Sequence, residues 1–472
     1  VAREPLGWVG LLEAHRLKQL PKLKLLSSYY EGEQPLKYMA AALEEEFGER
    51  LTALVINWPQ MAVKAYENRL DVEGFRLPDQ GKSDKDLWRM WQVNNLDEES
   101  SQAHLEALIN GRSYAIVGEN EDDPENPIIT VEHPSQVTTY RDPRTRKVLW
   151  GLKRWTEDED PSHPIENAAL YNPDTTYYYV MESGKWTLTD TDNHDRGMNP
   201  VVPLLNSPRM LDPLGTSLFK PIIPIANAAN KMATDMMISA EFHAMPRRWV
   251  VGMDENDWKD QDGNPVSNWS KVAGRVWAAD RMPSEVQMGQ FAEADLTNFQ
   301  SSVKMLAQLA VQLLGLPPHY NGFTSENPAS ADAIRSSEAQ MVKGAERMQR
   351  TFGGSWEQTM RNGRLIATGT DDPRMRQLET IWRDASTPTV AQKADASTKK
   401  FTAGIVPLRQ TRQDLGYTDT QIELMEDEDE KARQRDPVGK IARQFAEVRD
   451  DSAADGAGET GPAAGVDGGP AG

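Results

Sequence analysis

The sequence predicts an α+β chain that is mainly helical and carries a strand-rich insert and a second, smaller one. Three observations carry this. Apolar residues recur at steps of three and four over long stretches before residue 110 and again after 218. Between residues 112 and 206 the period drops to two, and Val, Ile, Thr, Tyr and Trp crowd into short runs separated by turn clusters. Two later helical stretches bracket a short excursion around Asp260-Gln261-Asp262-Gly263-Asn264-Pro265, a strong turn signal.

The first helical pattern covers residues 8–47, on Leu12, His15, Leu20, Leu23, Leu26 and Tyr30, with a break at Gly32. A second helix is expected over 51–70, before a turn at Asp79-Gln80-Gly81. A third, over 84–109, would bury Leu87, Trp88, Trp91, Leu96, Leu105 and Leu108, and Gly111 stops it as a C-cap glycine. Strands follow at 112–118, 128–132, 136–141, 147–156, 175–181 and 185–189, which read as one antiparallel meander. A helix over 218–245 places Phe219, Ile222, Ala226, Ala229, Ala233, Met236 and Ala240 on one side. Its alanines permit close helix approach, and Pro221 and Pro224 kink its first turns or delay its start.

Short strands are expected over 247–290, then a helix over 293–314 on Leu296, Phe299, Val303, Leu306, Ala310 and Leu313. Glu293 and Asp295 suit its N-terminus, and Gly315 with Pro317-Pro318 ends it. After a loop over 317–328, Ser330 caps the longest helix, striped by Ile334, Met341, Ala345, Met348, Phe352, Trp356 and Met360. Gly353-Gly354 predicts a kink within it. Short helices run through Arg383, 389–401, 408–415 and 418–433, and the Gly/Ala/Asp/Pro-rich residues 450–472 read as disordered.

A length of 472 residues suggests about three domains. With 38% hydrophobic residues and a mean hydropathy of -0.64 the chain is polar, and no run approaches the roughly 18 apolar residues that span a bilayer. No basic segment followed by an apolar one opens the chain, so secretion is not expected. The absence of cysteine excludes disulfides, thiolate metal sites and a catalytic thiol, and fits assembly in a reducing cytoplasm. A net charge of -20 argues against tight binding of nucleic acid, which is built on cationic contacts to phosphate. It suits an enzyme, a structural subunit or a scaffold. It also suits a channel in which DNA slides past repulsive walls, over the 8–10 Å or so that salt leaves unscreened.

Catalytic patterns are absent. Gly81-Lys82-Ser83 echoes a phosphate loop, but Arg76 stands where that loop needs its first glycine, so a surface turn is the reading adopted. The seven histidines are scattered without zinc spacing, and Asp190, Asp192 and Asp195 lack the closing glutamate of a calcium loop. No catalytic residue, metal or cofactor is expected. Arg141, Arg144, Arg146, Lys147, Lys153 and Arg154, with Tyr140, Trp150 and Trp155 among them, could touch DNA, though solvated strand edges are the simpler reading. The acidic run 426–430 reads as a solvated helix face.

Three stretches carry a resemblance. They are Leu314-Gly315-Leu316-Pro317-Pro318-His319-Tyr320-Asn321-Gly322, Asn327-Pro328-Ala329-Ser330-Ala331-Asp332-Ala333-Ile334-Arg335, and Gly404-Ile405-Val406-Pro407 through Leu415-Gly416-Tyr417-Thr418. Together with the order of elements they resemble bacteriophage portal proteins of the SPP1 type, over about residues 11–435. The resemblance implies a portal fold: a β-rich wing (1–216), a stem helix (217–246), a small α/β clip (247–290), a returning stem helix (291–316) and a tunnel loop (317–329). A long kinked wing helix (330–386), a helical crown (387–436) and a C-terminal segment (437–472) complete it.

Such a protein forms a ring, usually of twelve, at one capsid vertex, the conduit for packaging and ejecting double-stranded DNA without sequence specificity. The implied partners are copies of itself, the large terminase subunit, a head-tail adaptor, and the major capsid and scaffolding proteins, in a virion assembled in the host cytoplasm. His319, Tyr320, Asn321, Phe323 and Thr324 would line the channel. Ala226, Ala229, Ala233, Met236, Ala240, Leu296, Phe299 and Val303 would pack subunits in the stem. Arg247, Arg248, Trp258 and Trp269 would dock partners at the clip. Another virion structural protein, such as a head-completion or minor capsid subunit, is the first alternative; a nucleic-acid enzyme is the second.

Overall fold

A computed structural model describes residues 3–35, 54–78, 83–157, 164–244, 248–252, 287–290, 296–322, 331–386, 390–417 and 419–435. The chain divides into two units, 1–386 and 387–472.

The first unit opens with α1 (Pro5–Glu31), begun by a proline whose missing N–H costs nothing there and closed by Gly32 at φ 79°. One helix serves two hydrophobic clusters. Val9 and Leu12 pack on the larger sheet, while Leu26, Tyr29 and Tyr30 belong to the main core. Helix α2 (Trp58–Glu67) is capped by Asn57, whose side chain accepts from the Gln60 N–H at 3.1 Å.

Where the sequence predicts one helix over 84–109, the structure has α3 (Lys85–Val93) and α4 (Leu96–Asn110). The cause is a pair of asparagines. Asn94 donates to the Met90 and Pro127 carbonyls and accepts from the Ile129 N–H, and Asn95 takes the left-handed conformation at φ 52°. Asparagine tolerates that conformation better than other side chains with a Cβ.

The strand-rich insert is two sheets rather than one meander. Strands β2 (Arg112–Gly118), β3 (Ile128–Glu132) and β9 (Val201–Leu205) form an antiparallel sheet in the order β3-β2-β9. Strands β4 (Val137–Arg141), β5 (Val148–Glu157), β6 (Ile165–Tyr171), β7 (Thr175–Glu182) and β8 (Lys185–Asn193) run up and down in sequence order. Tyr114, Ile116, Val137 and Val201 cluster between the sheets with Tyr171 against them. The approach is close at Gly151, where an added Cβ would sit 2.7 Å from Val201 Cγ2.

The chain leaves the sheets through a corner built by two glycines. Gly111 (φ 88°) and Gly215 (φ 81°) cross so closely that a Cβ on Gly215 would overlap the Gly111 carbonyl oxygen. Asn206 N–H donates to that oxygen at 2.9 Å, and Leu218 N–H donates to Leu108 O at 2.9 Å. A 3-10 turn at Lys220–Ile222 precedes α5 (Ile223–Ala244), so the prolines delay the helix as the sequence allows. Helix α6 (Thr297–Leu314) packs on α5, and β10 (Arg248–Val251) pairs with β11 (Gln287–Gln290) between them in the chain.

Helix α7 (Ala331–Thr368) is hydrogen-bonded as one element through Gly353-Gly354, where the sequence places a kink. Gly353 admits the β12 strand (Glu379–Trp382): a Cβ there would lie 3.1 Å from Trp382 Nε1. This strand, read as helical from sequence, pairs antiparallel with β1 (Val72–Arg76). Phe352, Trp356 and Met360 of α7 are fully buried in the main core. There Trp356 Nε1–H donates to His104 Nε2 at 2.8 Å, and the His104 ring stacks on Phe352.

In the second unit, α8 (Val390–Thr402), α9 (Leu408–Leu415) and α10 (Asp419–Arg435) follow one another. Helix α9 packs on both of the others. The segment 450–472 lies outside the described residues.

Candidate assembly and channel surfaces

The helix pair α5–α6 holds most of the residues expected to pack subunits. Ala226, Ala229 and Ala233 are buried within the chain itself. Their side of α5 faces the chain's own α2 and α6; beside them Asn227 accepts from Tyr29 O–H at 2.9 Å and Asn230 from the Ile56 N–H at 2.8 Å. Close packing by alanine is thus used inside the subunit. Met236, Ala240, Leu296, Phe299 and Val303 remain half-exposed.

The larger apolar surface lies on α6, on a stripe the sequence reading did not separate from the core face. Met305, Leu309 and Leu313 are 55%, 42% and 57% exposed. Their spacing of four puts them on one side of the helix, while Ala307, Ala310, Val311 and Leu314 are buried on another. Leu313, expected on the buried face, belongs to the exposed one. A helix apolar on two sides has one side for its own core and one for something else.

At the end of α6, Gly315 (φ 69°) turns the chain, and Tyr66 O–H donates to Leu314 O at 2.8 Å. Residues Pro318–Asn321 then form a 3-10 turn. His319 is exposed, 4.0 Å from Glu338, which also pairs with Arg69 at 3.6 Å. The Tyr320 ring packs partly against the main core, 5.0 Å from the His319 ring. Asn321 lies in the turn, while Phe323 and Thr324 lie outside the described residues, as do Arg247, Trp258 and Trp269. Arg248 opens strand β10.

Two residues of the basic cluster on the larger sheet are spent on partners within the chain. Lys153 pairs with Glu132, and Arg154 pairs with Glu13 and Glu166 while lying 4.3 Å above the Trp186 ring. Burial pushes the Glu13 carboxyl up, but the hydrogen bond from Arg16 and the charge of Arg154 outweigh it and hold its pKa below the usual range. Burial likewise lowers the Arg141 guanidinium. Of this cluster Arg144, Arg146 and Lys147, at the β4–β5 turn, are exposed.

Among the described residues no group of three potential metal ligands occurs. A cleft lined by His194, Arg196, Met198, Pro200 and Asn362 has a volume of about 10 Å³, room for one water and not for a nucleotide. Asp190 and Asp192 lie along strand β8 rather than around a loop. Among the described residues no helix is long and apolar enough to cross a membrane.

The described residues of the first unit thus comprise two sheets on a helical core, a helix pair packed into that core, and an apolar stripe left open on α6. The profile described as "Phage portal protein, SPP1 Gp6-like" matches residues 10–435. The portal protein of Mycobacterium phage D29 is 33% identical over 426 residues, covering 88% of this chain and 87% of that protein. The portal protein of Mycobacterium phage L5 is 33% identical over 418 residues, covering 86% and 85%. Among solved structures, a chain in the virion of a native gene transfer agent particle aligns at 12% identity with a TM-score of 0.44, over 75% of this chain and 88% of that one. The chain belongs to the SPP1-type family of phage portal proteins and is a virion structural component.

Proposed function

We propose that copies of this chain close into a ring, twelve in number by family resemblance, through which double-stranded DNA enters and leaves the capsid. The family carries the class of protein; the open stripe Met305–Leu309–Leu313 on α6 supports self-association along the helix pair. Burying a leucine fully is worth about 2 kcal/mol, so each half-exposed member leaves roughly 1 kcal/mol to gain at every subunit contact. A ring repeats that contact at each subunit.

In this reading the β10–β11 excursion is the clip, where Arg247, Arg248, Trp258 and Trp269 meet the large terminase subunit and later a head-tail adaptor. The 317–329 segment faces DNA through His319, Asn321, Phe323 and Thr324, with Tyr320 as its anchor in the core. Major capsid and scaffolding proteins surround the wing. A charge of -20 per chain, multiplied around the ring, keeps the walls from gripping phosphate.

The test is the purified chain viewed by electron microscopy, beside Leu309→Asp. The native chain should give annuli with a central hole. The variant, altered at an exposed position, should keep its helical signal and thermal midpoint yet assemble poorly. A native chain that stays monomeric at high concentration with its assembly partners present refutes the ring. Holed rings that Leu309→Asp leaves intact refute the role of the stripe. Binding to a pre-formed portal vertex, rather than ring formation, would favour a head-completion protein.

A further inference from the structure

Among its described residues, the C-terminal helical unit buries almost no apolar core. Its three helices are 13, 8 and 17 residues long. Among their described residues Ile422 is the one buried hydrophobic side chain, and it joins none of the hydrophobic clusters. Three helices usually close on one another so that each covers the other two. Here α9 packs on both α8 and α10, and among the described residues the outer pair share no comparable contact. What holds the row is largely ionic: Arg409 to Glu426 and Arg412 to Asp429, both 2.7 Å, join α9 to α10, and Lys400 reaches Asp414 across α8 and α9. Lys400 is exposed and its pair contributes little, while Arg409 and Arg412 are largely covered and hold α10 to α9 without adding apolar burial. Large apolar side chains meanwhile face outward, with Phe401 43%, Ile405 72% and Leu424 63% exposed. A row this small, with its apolar groups outside, does not bury enough surface to be stable alone.

The two outer helices differ in kind. Helix α8 is net positive, with Lys393, Lys399 and Lys400 against Asp395. Helix α10 is net negative, with five consecutive acids over 426–430 that its three basic residues do not offset. Each side therefore offers apolar groups amid charge of opposite sign. A contact between unlike patches is heterologous, and repeated with rotation it closes a ring.

We propose that this unit is completed by a second copy of the chain: α10 of one subunit lies against α8 and the α8–α9 turn of its neighbour, head to tail. The proposal rests on the ring reading above. Its consequence is that α8–α10 become stably folded through assembly, whereas the 1–386 unit folds on its own core.

The chain has no cysteine, so single cysteines can be placed cleanly. Full-length Phe401→Cys, Leu424→Cys and the double variant would be assembled and treated with a short bismaleimide. Mixed single variants should yield dimers containing one of each, either single variant alone should not, and the double variant should yield a ladder of linked subunits. In parallel, amide exchange over 390–435 should slow by at least about tenfold on passing from monomer to ring, with little change in α7. Rings that form normally but give only intrachain links, or protection in the monomer equal to that in the ring, overturn the proposal while leaving the ring reading standing. Absence of rings overturns both. Loss of α7 protection in a cysteine variant would mark misfolding, and the exchange of the unmodified chain then decides.

Discussion

Acidification should weaken the main core through His104. The ring is fully buried, and its Nε2 is occupied as acceptor of the Trp356 indole N–H. Burial pushes its pKa down from 6.5 to about 3; the Leu70 carbonyl favours the protonated ring only weakly, being too poorly placed for Nδ1 to count as hydrogen-bonded. In the unfolded chain the imidazole takes a proton below about pH 6.5, whereas the native chain refuses it until about pH 3. Between those values the unfolded state binds more protons, so stability falls as pH falls, by up to about 1.4 kcal/mol per pH unit. From pH 7 to pH 4.5 the group should withdraw roughly 2.5–3 kcal/mol. The assay is urea unfolding of the unassembled chain at both pH values, comparing the native chain with His104→Gln, whose carbonyl can still accept from Trp356. Glu13 adds acid sensitivity, and Glu357, raised mainly by burial, subtracts some. Both are common to the two proteins and cancel in the difference. The variant should lose less stability on acidification than the native chain by about that amount. Equal losses would refute the reasoning.

Two further outcomes follow from the same packing. Gly215→Ala, at φ 81° and against the Gly111 carbonyl, should cost at least about 1–3 kcal/mol and lower the thermal midpoint; an unchanged midpoint would show that the corner relaxes freely. Arg154→Ala should leave Glu13 half-buried beside Arg16 alone and strip the cation from Trp186. Exchange in α1 and β6 should then quicken, and identical protection there would mean the ion pairs contribute nothing.

Local chemistry was legible wherever one signal dominated. Strands 112–118 and 128–132 match in both bounds because short runs rich in Val, Ile, Thr and Tyr are bracketed by Gly111 and turn residues. Helix 408–415 matches for a similar reason, lying between Pro407 and Gly416. Pairing across distance was not legible. Strand β6 contains Asn167, Ala168 and Ala169, weak strand formers that β5 and β7 hold in place from either side. Strand β9 carries Pro203, which reads as a breaker but is tolerated at a sheet edge. Strands β1 and β12 join residues some 300 apart, and four residues with no turn between them leave no local trace. On α6 the period identified an apolar helix but not which side the subunit covers. Met305 and Ala307 differ by two positions and by everything in exposure.

The sharing of α1 between two hydrophobic clusters has a mechanical consequence. Twenty-seven residues of continuous helix tie the five-stranded sheet at one end to the main core at the other, with Pro21 removing one rung of its ladder between them. A push on that sheet can travel along this stiff rod into the residues that seat α5, since Tyr29 at the far end of α1 grips Asn227, beside a second route through the contact of the two sheets at Gly151 and Val201. The weak point of the rod is the proline.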